Sequence, residues 1–118
     1  MNEAAEFLLT LLHAATNTHL LHWTTKSYAQ HKALGEFYTE LPELVDQLAE
    51  AMMGKFDMTP KFPVSYYAPA DTAKEELEDL KEFVMEERKH LPQDSEIQNL
   101  IDEIAQSIDQ TLYLLRFP

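Results

Sequence analysis

Apolar residues recur at three- and four-residue steps through most of this 118-residue chain. That spacing is the period of an amphipathic α-helix, in which every third or fourth side chain lies on one face. Only two glycines occur, and leucine, alanine, glutamate and glutamine, which favour helix, are abundant. An all-α fold is therefore predicted.

Four segments carry this pattern, and helix-capping residues stand near their ends. Ser27 is expected to cap the second helix, and Gly54 to end it. Thr72 with Glu75, and Ser95 with Gln98, have the spacing of capping boxes. Pro42 removes one backbone donor inside the second helix and is expected to kink it. The predicted helices cover residues 3–23, 28–54, 71–91 and 95–118.

The connections between the helices constrain the topology. The first and third are short, whereas residues 55–70 hold three of the six prolines and four aromatic residues. Short links join antiparallel neighbours, and one long central crossover is the ferritin-like arrangement. The sequence predicts a single domain over residues 1–118. We expect an up-down-up-down four-helix bundle of ferritin-like type, with the long crossover between the second and third helices.

Charge and composition exclude several classes of function. The net charge of −12 argues against binding nucleic acid, because a phosphate backbone attracts lysine and arginine. The absence of cysteine excludes disulfides and thiolate chemistry, and a reducing cytoplasm is the expected compartment. No apolar run reaches the roughly 18 residues that a bilayer span needs. The first residues lack the basic run of a signal peptide.

Histidines and carboxylates in the first half of the chain are the only indication of chemistry. Imidazole and carboxylate are ligand types that suit iron, manganese and zinc. The third and fourth helices place no carboxylate or histidine in their apolar stripes, so a metal site at the centre of one subunit is not expected. The candidate metal ligands are His22, His31, Asp46 and Glu50, with His19 as a further candidate.

A second face of the second helix points to a homo-oligomer, at least a dimer. Its residues are mostly small or weakly polar, and small side chains let another helix approach closely. Asp46 and Glu50 project away from the apolar stripe that His19 and His22 join. A second copy could supply these carboxylates, which would put the metal ion at a subunit interface. The face comprises Gly35, Thr39, Pro42, Asp46, Ala49 and Met53.

The segment Leu21-His22-Trp23, with His31 and Asp46-x-x-x-Glu50, resembles the Dps proteins, ferritin-like mini-ferritins of starved bacteria. The stretches HKALGEFY and LVDQLAEAMMG are similar to small phage-encoded ferritin-like proteins. The resemblance covers about residues 8–54. It implies an iron site between subunits, at which Fe(II) is oxidised by oxygen or peroxide. Gly35 stands where the Dps pattern has its remaining aspartate, which leaves the oxidation open.

Two functions remain in competition at this point. The first is a Dps-like metal-binding protein for iron handling or oxidative protection, with zinc or manganese as alternatives to iron. The second is a non-catalytic helical interaction module of phage origin, with a degenerate metal site and an acidic surface for a protein partner. The histidines could also serve as helix caps or core hydrogen-bonding groups, and the two carboxylates as a solvated face.

Overall fold

The computed structural model describes residues 2–118, and the regular secondary structure over that range is all helix. No strand occurs there, and no helix among these residues is long and apolar enough to cross a bilayer. The all-α prediction is confirmed. The helices are α1 (Asn2–Thr24), α2 (Tyr28–Phe56), α3 (Ala73–Glu87) and α4 (Ser95–Leu114), and a short 3-10 helix (Arg88–His90) follows α3.

Two of the predicted helix caps form as expected. The Ser27 side chain accepts a hydrogen bond from the Gln30 backbone N–H at 3.2 Å, at the start of α2. The Thr72 side chain accepts from the Glu75 N–H at 3.1 Å, at the start of α3. Each satisfies a donor that the first turn of a helix leaves free.

The predicted end of α2 is wrong, and so is the predicted capping box of α4, although α4 does begin at Ser95 as expected. Gly54 keeps a negative φ, and α2 continues to Phe56; it ends at Asp57, whose φ of 47° turns the chain away. At α4, Asp94 occupies the cap position and Ser95 is already helical. The Gln98 side chain donates to carbonyls of the preceding turn instead of closing a capping box.

The helix directions follow from contacts near the helix ends. The three-residue link 25–27 makes α1 and α2 antiparallel. Lys55, at the end of α2, pairs with Glu96 at the start of α4, so α4 runs back along α2. Ion pairs between α3 and α4, and the contact between Phe7 and Phe83, make α3 antiparallel to both α4 and α1.

The four directions are therefore up, down, down, up, and the predicted alternation is wrong between α2 and α3. These two helices run the same way, because residues 57–72 carry the chain back along the molecule before α3 begins. Sixteen extended residues could span roughly 50 Å, ample for this return. We call residues 57–72 the crossing segment.

All four helices contribute to one apolar core. Each buries one stripe, and α4 has the cleanest pattern, with isoleucines at three- and four-residue steps. Burying such a side chain contributes about 1.5–3 kcal/mol. The fully buried large side chains are Phe7, Phe37, Leu11, Leu34, Leu41, Leu48, Met52, Leu77, Ile97, Ile101, Ile104 and Ile108.

One prediction about the core is wrong. The carboxylates of α3 and α4 were all expected outside, and Glu82, Glu86, Asp102 and Asp109 are indeed exposed. Glu76, however, is only 3% exposed. Its hydrogen bonds to the crossing segment, described below, allow a carboxyl group to be buried there.

Candidate functional site

His22 and His31 meet where α1 passes into α2. His22 lies near the end of α1 and His31 in the first turns of α2, so the short link brings them together. Their rings stack, with centroids 3.8 Å apart and planes 15° from parallel. Two of the predicted ligands are therefore neighbours in one chain.

The two imidazoles are held by reciprocal hydrogen bonds. His22 Nδ1 lies 2.6 Å from the His31 carbonyl oxygen, and His31 Nδ1 lies 2.8 Å from the His22 carbonyl oxygen. A carbonyl only accepts, so each Nδ1 carries the proton and donates it. In the neutral ring this leaves the lone pair on Nε2, which makes no hydrogen bond within residues 2–118.

His19 joins the same group through aromatic contacts. Its ring stacks on Tyr38, with centroids 3.9 Å apart and planes 8° from parallel, and it also contacts Trp23 at 4.6 Å. Tyr38 in turn meets His22 edge-on at 5.2 Å. We call His19, His22, His31 and Tyr38 the imidazole cluster. All four side chains are partly exposed on the α1–α2 side of the molecule.

The two predicted carboxylate ligands lie elsewhere. Asp46 and Glu50 are exposed on α2, roughly 22 Å and 28 Å beyond His31 at about 1.5 Å per helical residue. Within the described part of the chain, no group of three or more histidine, aspartate or glutamate side chains is arranged to hold a metal ion. One subunit therefore supplies the imidazoles but leaves the carboxylates far from them.

The stacking also limits what the two imidazoles can ligate. A transition-metal ion lies near the plane of each imidazole that binds it, about 2.0–2.1 Å from the nitrogen. Two parallel rings 3.8 Å apart cannot meet that condition for one shared ion. As arranged, each Nε2 can hold a separate ion, or one ring must rotate.

Gly35 explains how closely these rings approach α2. A Cβ atom at Gly35 would lie 3.1 Å from His22 Cε1 and 3.4 Å from His22 Nδ1, tighter than ordinary contact. The absence of a side chain thus makes room for the imidazole of His22. An aspartate at this position would displace that ring.

Two surface grooves border the imidazole cluster. One, of about 610 Å³, runs along α2 and is lined by His22, His31, Gly35 and Thr39 among others. The other, of about 320 Å³, lies between the two helices and includes His19, Tyr38 and Pro42. Leu12, on the edge of this second groove, is 40% exposed. The outer side of α1 and α2 is therefore concave and partly apolar.

A second polar group, which the sequence did not reveal, lies on the other side of α1. Asn17 is 0% exposed; its Nδ2 donates to the Tyr67 carbonyl at 3.1 Å, and its Oδ1 accepts from the Tyr66 hydroxyl at 2.6 Å. Glu76 accepts from the Ala70 N–H at 2.8 Å and from the Tyr67 hydroxyl at 3.3 Å. We call Asn17, Tyr66, Tyr67 and Glu76 the crossing cluster, because it fastens the crossing segment to α1 and α3.

Burial changes the acid–base behaviour of the crossing cluster. Desolvation raises the pKa of Glu76, and its hydrogen bonds to Ala70 and Tyr67 oppose that rise. Desolvation also raises the pKa of Tyr67, and the nearby charge of Glu76 adds to the increase. Both groups therefore favour their neutral forms more than they would in water.

Sequence signals for these two buried residues existed. Asn17 continues a stripe with Ala14, Thr18 and Leu21, all of which are buried. Glu76 occupies a core position in the stripe of α3, between Ala73 and Leu80. A polar residue within an apolar stripe was the available clue.

Comparisons with known proteins identify a phage relative. A model of the family of unknown function DUF5856 matches residues 22–115. An uncharacterized 14.6 kDa protein from the mobD-ri intergenic region of Enterobacteria phage T4 is 35% identical over 118 residues, covering 97% of this chain and 88% of the relative. No solved structure matches the chain.

These matches overturn the resemblance to Dps mini-ferritins. The residues that carried the resemblance, His22, His31 and the Asp46-x-x-x-Glu50 motif, lie inside the DUF5856 match. Short histidine and carboxylate spacings occur in many helical chains and were too unspecific to identify the family. A Cβ at position 35 would also press on the His22 ring, which would have to shift by a few tenths of an ångström to admit the missing aspartate.

Proposed function

This chain belongs to the family of unknown function DUF5856, and we propose that it is a helical interaction module that pairs with a second copy of itself through α2. The observation that carries this proposal is the order of side chains along one face of α2. That order is basic, then small, then acidic, which makes the face complementary to itself in an antiparallel pair.

The face consists of positions three or four residues apart, so they share one side of α2. Lys32 stands near its beginning, and Gly35 and Thr39 form a small-residue centre. Glu43, Asp46 and Glu50 follow toward the end of the helix and are exposed. We call these six residues the α2 face.

A two-fold axis near Thr39 would bring opposite charges together. In an antiparallel pair, Lys32 of one copy would then lie opposite Asp46 of the other, and the same contact would occur twice. Gly35 and Thr39 at the crossing point would allow close approach of the two backbones.

The position of Lys32 on α2 supports this role, because it is the basic residue that lines the larger groove. Lys55, Lys81, Arg88 and Lys89 all pair with carboxylates of their own chain. Lys32, like Lys26, Lys61, Lys74 and Arg116, forms no ion pair within residues 2–118, but of these five only Lys32 borders the larger groove. It is therefore available to a carboxylate of another molecule.

Sedimentation velocity tests the proposal directly. The native protein should sediment as a dimer, and Thr39→Arg should yield a monomer by placing a bulky charge at the crossing point. Gln106→Arg introduces the same side chain at an exposed position of α4 and should leave the dimer intact. A monomeric native protein, or a dimer that tolerates Thr39→Arg, contradicts the proposal.

A charge exchange tests the pairing register. Lys32→Glu should weaken the dimer, and adding Asp46→Lys in the same chain should restore it, because both copies of the ion pair would be reversed. Asp46→Lys alone should weaken the dimer as Lys32→Glu does. If the double variant is no more stable as a dimer than either single variant, the two residues do not face each other.

Metal binding at the same interface is a second candidate function. The observation that favours it is the pair of Nδ1 hydrogen bonds, which orient both Nε2 lone pairs as in many metal-binding histidines. In the proposed dimer, Asp46 and Glu50 of one copy would approach His31 and His22 of the other. Iron, zinc and manganese all suit such a ligand set.

Zinc titration against a chromogenic chelator, followed by elemental analysis, tests this candidate. Binding should weaken in His22→Phe, which keeps a ring in the stack, and in Asp46→Asn. It should also weaken in the monomeric Thr39→Arg variant, which retains every proposed ligand. Full binding by that monomer would show that the ligands come from one chain. Growth of the near-ultraviolet absorbance of ferric iron, after Fe(II) is added in air, would then test oxidation separately.

For the fold itself, we propose a four-helix bundle with one long crossover of the ferritin-like kind. Support comes from the neighbours of each helix: α1 packs on α2 and α3, and α4 packs on the same two helices. Each of these neighbouring pairs is antiparallel, and the diagonal pair α2 and α3 is connected by the crossing segment.

A further inference from the structure

A cavity of about 420 Å³ lies between α1, α3 and the end of the crossing segment. It is distinct from the two grooves at the imidazole cluster and lies on the opposite side of α1. Its walls are mainly apolar, and its polar groups are few. The residues that line the cavity include Tyr67, Ala68, Glu76, Asp79, Leu80 and Phe83.

Glu76 places a carboxyl group in the wall of this cavity without a cation to balance it. The residue is 3% exposed, and it forms no ion pair within residues 2–118. Its neighbours donate two hydrogen bonds, from the Ala70 N–H and the Tyr67 hydroxyl. A carboxylate has about four acceptor positions, so it can receive further donors from a ligand.

The second charged group at the cavity is also acidic. Asp79 lies one helical turn after Glu76 on α3 and is exposed at the edge of the cavity. Leu80 and Phe83 provide apolar surface beside these carboxylates. The cavity thus combines two negative charges with an apolar wall, which is complementary to a cation that carries a short hydrocarbon chain.

We propose that this cavity binds a small primary alkylammonium compound. The ammonium group donates hydrogen bonds to the Glu76 carboxylate, and the alkyl chain packs against Leu80, Phe83 and Ala68. Binding supplies the counter-charge that no ion pair within residues 2–118 provides, so the buried carboxyl is stabilised in its ionised form.

Nuclear magnetic resonance titration with n-butylammonium chloride tests the proposal. The Ala70 amide donates to Glu76, so its signal should move saturably, with a dissociation constant in the millimolar range typical of so small a ligand. The neutral analogue 1-butanol has the same alkyl chain and should bind about tenfold or more weakly, because it lacks the charge.

Two variants separate a binding site from a structural carboxyl group. Glu76→Gln removes the charge but keeps an acceptor oxygen for the Ala70 N–H, and its amide nitrogen can donate to the Tyr67 hydroxyl. It should weaken butylammonium binding about tenfold or more. Ala68→Leu leaves Glu76 intact and should also weaken binding, because the larger side chain occupies the cavity. Glu78→Gln changes an exposed carboxylate of the same helix that does not line the cavity, and should bind like the native protein.

Several outcomes would overturn the inference. The ammonium compound could produce no saturable shift, or bind no better than 1-butanol. It could also bind unchanged when Ala68 is enlarged, which would place the ligand elsewhere. The cavity and the α2 face lie on different sides of the molecule. The native protein and Ala68→Leu should therefore dimerise with the same affinity, whether or not the cavity binds butylammonium.

Discussion

The two polar clusters on α1 are built in opposite ways. The imidazole cluster joins residues close in sequence, remains partly exposed, and has ring nitrogens without hydrogen-bond partners among residues 2–118. The crossing cluster joins Asn17 to Tyr66 and Tyr67, which lie 49 and 50 positions further along the chain. Both the nitrogen and the oxygen of the buried Asn17 amide form hydrogen bonds there. The first therefore has donor atoms available to a ligand or partner, whereas the second connects distant parts of the chain.

This difference gives each cluster a different expected sensitivity to mutation. Removing a fully buried amide leaves its former partners without hydrogen bonds, and the free energy of unfolding should fall strongly. Removing a partly exposed imidazole lets water replace the lost contact. The crossing cluster should therefore contribute more to stability, and the imidazole cluster more to binding.

The largest expected effect is that of Asn17→Ala. It leaves the Tyr67 carbonyl without its donor and creates a small cavity, whereas the Tyr66 hydroxyl, on a 55% exposed side chain, can turn to water. The free energy of unfolding, measured by urea denaturation, should fall by about 2–3 kcal/mol. Thr16→Ala, at the exposed neighbouring position, should change it by less than about 0.5 kcal/mol. If both substitutions lowered the free energy of unfolding equally, the crossing cluster would not have the special contribution to stability that we propose.

His22→Phe should have a smaller effect on stability. The phenyl ring can still stack on His31, but the hydrogen bond from His22 Nδ1 to the His31 carbonyl is lost. We expect a loss of about 1 kcal/mol in the same urea measurement. His90→Phe, at an exposed histidine, serves as control. A loss as large as that of Asn17→Ala would mean that the imidazole cluster is mainly structural.

The two glycines of α2 provide a matched pair of still smaller changes. At Gly54 an added Cβ would meet no atom within 4 Å. Gly54→Ala should therefore raise the free energy of unfolding, measured by urea denaturation, by up to about 1 kcal/mol, the usual helix preference for alanine. Gly35→Ala should gain less, because the new methyl group would press on the His22 ring. Equal gains would show that the ring moves aside freely.

The smallest expected change is a difference in pH dependence between Glu76→Gln and the native protein. Burial raises the pKa of Glu76 above its ordinary value of 4.5, so the folded protein holds the proton more tightly than the unfolded chain. This contribution to stability is complete below pH 4.5 and is lost as the pH rises through the folded-state pKa. Relative to the glutamine variant, the native protein should therefore become less stable across that window. Urea midpoints at a series of pH values measure the difference, and parallel curves would contradict it.

The helices were predictable because their signals are local. Apolar periodicity located all four, and the capping side chains of Ser27 and Thr72 marked two starts within a residue. Helix direction was not predictable in this way. Whether α3 runs parallel or antiparallel to α2 depends on where the crossing segment docks, and that docking rests on the long-range bonds to Asn17 and Glu76.

For the candidate site, too, only the features that depend on residues near in sequence were predictable. The link of three residues brings His22 and His31 together, as their positions at adjacent helix ends suggested. The ring stacking and the exchanged carbonyl bonds depend on side-chain packing that spacing alone does not specify. The dimer partner and the metal ligation by Asp46 and Glu50 remain predictions.

The crossing segment also has a consequence for the order of folding. The α1–α2 pair depends on contacts between residues near in sequence, which form quickly. Docking of α3 requires a long loop to close first, and so it should be the later event. Hydrogen exchange pulsed during refolding would report that closure at the Ala70 amide, whose acceptor is a side chain of α3. The part of the chain that forms last would then also be the part that shapes the 420 Å³ cavity.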